Sequence, residues 1–237
     1  MSFARRDRVL ATYAPLGMLG LLVAWISLTF LGYAAIFWGL DGGTSATVAI
    51  ELSGSSLLTL GFLRPTTFWL MMVSFTEAAI GLFLLALLIT YLPSINSAFS
   101  RRDQGVSSLS LRAGEPPSGI EMVLRFWRLE RMAELHEVWV EWERWFVDVE
   151  ETHTSFSALA FFRSPQTDHS WVTAAGAVLD AAALTTSSID VPHDVQADIC
   201  IRAGYLSLRR IADGFGIRFD REPVSGDPIS ITRQEWE

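Results

Sequence analysis

The sequence predicts an all-α membrane protein: two transmembrane helices followed by a soluble helical C-terminal domain. Residues 14–40 contain no charged side chain, and residues 67–92 contain one, Glu77. An α-helix rises about 1.5 Å per residue, so each run exceeds the hydrocarbon core of about 30 Å. A cleaved signal peptide has an apolar region of only about 7–15 residues, so the first run is too long for one. Helical spacing of apolar residues in the second half predicts the soluble domain.

Arginine side chains predict the orientation of this hairpin. Three arginines within residues 5–8 precede the first run, and Arg101 and Arg102 follow the second. Positively charged flanks favour the cytoplasmic side of a membrane. We therefore expect a multi-pass protein of the plasma membrane, in contact with the lipid bilayer. Its N- and C-termini are expected in the cytoplasm and residues 41–66 outside.

The connection between the spans is too apolar for an ordinary exposed loop and too short for a third span. It opens with the turn signal Asp-Gly-Gly at 41–43. Thr44 or Ser45 is a suitable N-cap for a short helix to about Leu58. We expect this connection to be re-entrant, with a helix that dips into the membrane and an extended return. Non-helical backbone at that depth is tolerated only against protein or a water-filled cavity.

The chain divides into four predicted parts. Residues 1–92 form the membrane module. Pro93 is expected to end the second helix, and residues 93–119, rich in Ser, Gly, Pro and Arg, are predicted to be a linker. Residues 120–216 form the predicted helical cytoplasmic domain, and residues 217–237 an irregular polar tail.

Within the cytoplasmic domain, one apolar face predicts a long helix. Its residues follow one another at spacings of three and four: Met132, Leu135, Trp139, Trp142, Phe146 and Val149. A small-residue helix follows the break at 163–170. Asp190 and Pro192 are then expected to open a last helix that ends near Gly214 and Gly216. The tryptophans at 127, 139, 142 and 145 are interpreted as a core or assembly face, with a ligand cage as the alternative.

Charge and motif content exclude several function classes. Residues 1–119 carry seven arginines and six acids, a balance of +1. The remainder carries eleven arginines and twenty acids, a balance of −9, so the domain is acidic and a poor match for nucleic acid. No phosphate loop, nucleophile motif or cysteine cluster is present, and the single Cys200 is expected to be a buried, inert thiol. Glu150 and His153 supply only half of a dimetal site. We expect neither enzymatic activity nor a cofactor or metal site.

The arrangement of the first 92 residues resembles the pore module of two-transmembrane potassium channels. Shared features are a span, a short helix, a Thr-Leu-Gly-Phe sequence and a second span that carries Glu77 and Gly81. The family's filter reads Thr-Val-Gly-Tyr/Phe-Gly-Asp, and the resemblance covers roughly residues 14–92, with a pore loop at 44–65. Its filter corresponds here to four consecutive residues, Thr59, Leu60, Gly61 and Phe62.

This resemblance implies a conduction filter for K⁺ or another monovalent cation. Backbone carbonyls and the Thr59 hydroxyl would replace the water around the ion. One hairpin cannot enclose a pore, so the resemblance implies self-association, most simply a homotetramer. Domains after the inner helix in such channels often sense ligands or hold subunits together, which implies an unknown cytoplasmic ligand or protein for this domain.

Two residues depart from the family's filter and imply a modified outer mouth. Leu63 replaces the second glycine, and Arg64 replaces the aspartate. Leucine disfavours the backbone geometry of the outermost carbonyl ring, so the ion preference stays open. Four arginines at the mouth would repel cations weakly, by about 0.4 kcal/mol per contact at ~10 Å in water.

Glu77 and Gly81 have two interpretations each. We expect Glu77 to support the pore from behind the filter, hydrogen-bonded to Ser53, Ser55 or Ser56, with direct ion contact as the alternative. The family places a hinge glycine at the position of Gly81, whereas small residues also serve close helix packing.

Two hypotheses for the whole chain remain. The first is an oligomeric monovalent cation channel with a cytoplasmic regulatory or assembly domain. The second is a non-conducting membrane-anchored scaffold or sensor that retains a degenerate pore loop.

Overall fold

The structure is a computed structural model that describes residues 3–40, 45–164, 166 and 169–220. Within these residues all regular secondary structure is helical. The α-helices are α1 Phe3–Leu40, α2 Ala46–Leu57, α3 Phe68–Ala113, α4 Gly119–Arg128, α5 Leu135–Ser155, α6 Trp171–Ser187 and α7 Val195–Gly214. Short 3-10 turns at Met132–Glu134 and Ser157–Phe161 flank α5. The predicted turn at 41–43, the candidate cap Thr44 and the tail from residue 221 lie outside the described residues.

Two helices are long and apolar enough to cross a membrane. These segments are Thr12–Leu40 of α1 and Phe68–Ala113 of α3. Only 6% of the most apolar stretch of each is buried by the rest of the chain. A core helix of a soluble protein would be covered, so this uncovered apolar surface fits contact with lipid. The predicted all-helical class with two candidate spans is therefore confirmed.

The prediction that Pro93 ends the second helix is wrong. α3 continues through Pro93 for 46 residues in all, so the predicted linker 93–119 is helical as far as Ala113. Proline lacks the N–H that would donate to the carbonyl of Ile89, so the helix loses one hydrogen bond here. Ser94 Oγ donates to the carbonyl of Thr90 at 2.7 Å, and Thr90 Oγ1 donates to that of Ala86 at 2.8 Å. These hydroxyls bond other carbonyls of the same turns, and the packing of Ile95 and Ala98 against Leu159 and Phe162 stabilises α3 beyond Pro93.

The predicted short helix after the first span is present as α2. Ser45 is its N-cap, and its hydroxyl accepts a hydrogen bond from the backbone N–H of Val48 at 3.4 Å. Leu52 of α2 packs in one cluster with Phe37 of α1 and Leu70 of α3. α2 therefore packs between the two long helices, and both contacts are made by buried apolar side chains.

The last turns of α3 pack with α4 to α7 around one apolar core. The apolar face predicted on α5 is confirmed, because five of its members are buried: Leu135, Trp139, Trp142, Phe146 and Val149. The rings of Trp142 and Trp145 lie 4.3 Å apart between centroids. Trp127, by contrast, is 65% exposed. Packing therefore accounts for three of the four tryptophans.

The predicted start of the last helix at Asp190 is wrong. α7 begins at Val195, and Asp194 is its N-cap. The Asp194 carboxylate accepts a hydrogen bond from the N–H of Gln196 at 2.9 Å. Asp194 has the same capping carboxylate as Asp190 but lies after Pro192. Proline disfavours helical backbone at the residue before it, so the helix starts beyond Pro192. The predicted end at Gly214 is confirmed.

A second apolar cluster joins the turn after α5 to one end of the helical hairpin. Ala14 of α1 and Ile95 and Ala98 of α3 form a buried cluster with Leu159 and Phe162, which lie in and just after the second 3-10 turn. The turn after α5 therefore contacts both long helices where their apolar runs begin and end.

Candidate functional site

The carboxyl end of α2 meets α3 at Gly81. A β-carbon at this position would lie 2.0 Å from the carbonyl oxygen of Leu57, the last residue of α2. The same end of α2 lines a small cavity of about 160 Å³ with Leu22 and Ile26 of α1. Gly81 and Ile26 each fall near the middle of their apolar runs. α2 therefore ends beside the middle of both candidate spans.

Of the two interpretations of Gly81, a hinge and close helix packing, this contact supports close packing. Any side chain at residue 81 would collide with the Leu57 carbonyl, so the close approach requires glycine. α3 is helical on both sides of Gly81. A hinge at this residue stays a prediction.

After α2 the chain turns through two residues with left-handed backbone. Thr59 has φ 53° and Gly61 has φ 70°, with Leu60 between them. Left-handed backbone costs a residue with a β-carbon roughly 1–2 kcal/mol, whereas glycine adopts it freely. Two hydrogen bonds hold this turn on α2: the N–H of Thr59 donates to the carbonyl of Ser56 at 3.0 Å, and that of Leu60 to Ser55 at 2.9 Å.

Ser55 organises the return of the loop, a role that the sequence analysis missed. Its carbonyl also accepts a hydrogen bond from Gly61 at 3.4 Å. Its side-chain oxygen accepts from the N–H of Leu63 at 3.2 Å and lies 3.4 Å from the carbonyl of the same residue. The only sequence signal is a serine in the last turn of a short helix, since polar side chains there can reach the following loop.

The four predicted filter residues lie together on an exposed loop. Thr59 and Gly61 are exposed, and the side chains of Leu60 and Phe62 are 60% and 65% exposed. The two predicted mouth residues follow directly. Leu63 is half-buried and packs against the Phe37 cluster, whereas Arg64 is exposed.

Glu77 is fully buried behind α2. The Ser53 hydroxyl is hydrogen-bonded to Glu77 Oε1 and also lies 2.9 Å from the carbonyl oxygen of Phe30 in α1. The predicted hydrogen bond from α2 is therefore confirmed, with Ser53 as the partner. Glu77 Oε2 has no hydrogen-bond partner among the described residues. Ser56 makes a second polar contact to α3, 2.6 Å from the hydroxyl of Ser74.

A second polar cluster lies further along α3, beyond the apolar run. The buried Arg102 donates to Nε2 of His153 at 3.0 Å and to the carbonyl oxygens of Leu159 at 3.1 Å and Phe162 at 2.7 Å. His153 Nδ1 lies 2.8 Å from the carbonyl oxygen of Val149, so Nδ1 carries the ring proton and Nε2 accepts. Burial, together with the charge of Arg102, lowers the pKa of His153 to about 4. The ring is therefore neutral near pH 7.

The loop after α2 thus combines a threonine hydroxyl with the backbone carbonyls of an exposed segment, and oxygen donors of this type suit monovalent cations. Comparison of the chain with protein-family models, curated proteins and solved structures found no match.

Proposed function

We propose that this chain is one subunit of an oligomeric monovalent cation channel, potassium-like by its resemblance, with residues 59–62 along the conduction path. The observation that carries the proposal is the contact between the Leu57 carbonyl and Gly81, halfway along an apolar run. An exposed, non-helical loop follows directly. In a membrane such backbone requires either protein or water around it, which favours a re-entrant helix and a pore loop.

The local electrostatics favour a cation at this loop. The carboxyl end of a helix carries a partial negative charge of about half an elementary unit, and α2 ends two residues before Thr59. Alternating left-handed and ordinary backbone at residues 59–61 turns successive carbonyl groups in different directions. In an assembly, these oxygens and the threonine hydroxyl would surround a dehydrated ion.

The exposed loop also supports self-association. Leu60 and Phe62 lie more than half exposed in the single chain, beside polar backbone. A ring of identical subunits, most simply a homotetramer, would cover the side chains and place the loops around one axis. The ring of Arg64 residues would then lie at the outer mouth and modulate ion entry.

The cytoplasmic domain is proposed to regulate or assemble this pore. α3 connects the two parts as one continuous helix, and the turn at Ser157–Phe161 packs against both long helices. A rearrangement within the domain therefore has a direct path to the spans.

Rubidium uptake into vesicles tests the proposal. Vesicles with the purified full chain are expected to take up rubidium, Gly61→Asp is expected to abolish uptake, and Thr59→Ala to alter it. Thr66→Ala is the matched control for Thr59→Ala, because Thr66 is also an exposed threonine of the connection but lies outside the filter segment. A Leu63→Gly change is expected to increase selectivity for potassium over sodium.

Intact protein of verified fourfold assembly that passes no monovalent cation would contradict the channel and favour the anchored scaffold. Selectivity unchanged by Leu63→Gly in a conducting protein would contradict the placement of this loop along the path.

A further inference from the structure

We propose that a cavity in the cytoplasmic domain binds an oxyanion of the phosphate type. The cavity has a volume of about 440 Å³ and lies between α3, the start of α6 and the segment that precedes α6. The residues that define its chemistry are Arg102, Asp103, Arg163, His169, Ser170 and Trp171. This site goes beyond the proposed pore, since none of its residues belongs to the loop after α2.

Arg102 brings a buried positive charge to this cavity. It is 3% exposed, and its hydrogen bonds go to a neutral imidazole and two carbonyl oxygens. Among the described residues it forms no ion pair. The negative charge of Asp103 favours the charged guanidinium group without forming an ion pair with it. Asp103 lines the same cavity, but its carboxylate is in contact with Ser164 at 3.5 Å.

His169 contributes a buried nitrogen that lacks a partner. Its side chain is only 6% exposed, and Nε2 lies 3.3 Å from Glu115 Oε1. Nδ1 is buried and has no hydrogen-bond partner among the described residues. Buried polar atoms are nearly always hydrogen-bonded in folded proteins, so this nitrogen indicates that a group is missing from the cavity.

The start of α6 adds a third feature that favours an anion. α6 has 17 residues, and Ser170, Trp171 and Thr173 at its N-terminus line the cavity. Ser170 caps the N–H of Thr173 at 3.3 Å, which leaves the first N–H groups of the helix for a ligand. The amino end of a helix carries a partial positive charge and binds phosphate groups in many proteins.

Arg163 is the exposed cation of the cavity. Among the described residues of this lining, two guanidinium groups and a helix N-terminus outweigh one carboxylate, that of Asp103. Guanidinium groups bind phosphate through paired hydrogen bonds, so phosphate is the chemistry that fits best.

Two sources could supply this phosphate group. One is a soluble phosphate-bearing molecule. The other is the headgroup of an anionic phospholipid, because Phe162 lines the cavity and also packs against Ala14 and Ile95 at the ends of the apolar runs.

Thermal unfolding of the full chain in detergent tests the site with inorganic phosphate as the probe. About 20 mM phosphate, exchanged for chloride at constant ionic strength, is expected to raise the unfolding midpoint by at least about 2 °C. Phosphate also stabilises proteins generally by exclusion from their surface, so variants must separate the two effects. Arg163→Gln is expected to lose the specific rise, whereas Arg128→Gln, another exposed arginine outside the cavity, is expected to keep it.

Vesicles distinguish the two sources. If the ligand is soluble, phosphate raises the thermal unfolding midpoint of the chain in vesicles of pure phosphatidylcholine. If the ligand is a lipid, the unfolding midpoint rises when phosphatidylglycerol is added to the vesicles, and Arg163→Gln abolishes this rise. The proposal is overturned if neither phosphate nor phosphatidylglycerol shifts the wild-type chain more than Arg163→Gln. Neither measurement involves ion flux, so the result is independent of the proposed channel.

Discussion

The carbonyl oxygen of Leu57 occupies the space that a side chain at Gly81 would need. A β-carbon there would lie 2.0 Å from the oxygen and 3.0 Å from the carbonyl carbon. This contact sets how closely the carboxyl end of α2 approaches α3. Since the predicted filter begins two residues after Leu57, it also determines where Thr59 lies relative to the spans.

Replacement of Gly81 by alanine is therefore expected to destabilise the hairpin. Backbone atoms must move apart to admit the methyl group, and such overpacking typically costs about 1–3 kcal/mol. Gly32→Ala is the matched control, because nothing lies within 4 Å of the added carbon there. Unfolding midpoints in detergent check the prediction, and equal midpoints for the two variants would contradict the tight contact.

The buried contact between Ser53 and Glu77 gives a second prediction. Glu77→Gln retains an oxygen acceptor for the Ser53 hydroxyl and is expected to keep the fold. Glu77→Leu removes this contact and leaves the Ser53 hydroxyl only the carbonyl of Phe30, and loss of a buried hydrogen bond costs about 0.5–1.5 kcal/mol. A double-mutant cycle of Glu77→Leu with Ser53→Ala is expected to show a coupling of about 0.5–3 kcal/mol in the free energy of unfolding. Additive effects would mean that the two side chains do not interact.

The neutral ring of His153 makes stability depend on pH. Its pKa is lowered to about 4 in the folded chain from an ordinary value near 6.5. The unfolded chain therefore binds more protons between these values, so this contribution is present above about pH 6.5 and is lost as pH falls toward 4. A loss of up to about 3 kcal/mol in the free energy of unfolding is expected.

Unfolding between pH 7 and pH 4 measures this effect in variants. His153→Gln retains an acceptor for Arg102 without titrating in this range, and we expect it to show a shallower loss. Thr66→Ala, at an exposed residue without a titratable group, is expected to follow the wild-type curve. Identical curves for wild type and His153→Gln would overturn the assignment.

The single thiol of the chain, Cys200, is expected to be unreactive in the native state. Cys200 is fully buried, and burial raises the pKa of its thiol to about 12. Thiolate is the reactive form, so a water-soluble thiol reagent should modify Cys200 only after unfolding. Mass spectrometry of the treated native protein checks this, and stoichiometric modification would contradict the buried position.

Local patterns in the sequence predicted much of the fold. The long apolar runs indicated α1 and α3, the spacing of apolar residues indicated α5, and the capping serine indicated α2. The hydrogen bond from α2 to Glu77 was also predictable, because a buried carboxyl group in an apolar run requires a polar neighbour.

The remaining features depend on partners that are distant in sequence. Tertiary packing of Ile95 and Ala98 allows α3 to continue beyond Pro93, although proline usually ends a helix. The flanking pair of arginines indicated orientation, yet Arg102 is buried against His153 and the carbonyl of Phe162, which lie 51 and 60 residues away. No local sequence pattern predicts such contacts, and the proposed oxyanion cavity could therefore not be predicted from the sequence.

The most direct test of the central claim measures rubidium uptake while the loop after α2 is modified. Leu60→Cys places a thiol on the proposed path. The buried Cys200 is not expected to react with the reagent, so only residue 60 is modified. A charged, water-soluble thiol reagent is expected to abolish uptake by Leu60→Cys and to leave uptake by Thr66→Cys unchanged. Uptake by Leu60→Cys that persists after verified modification of residue 60 would contradict the claim that this loop lines an ion path.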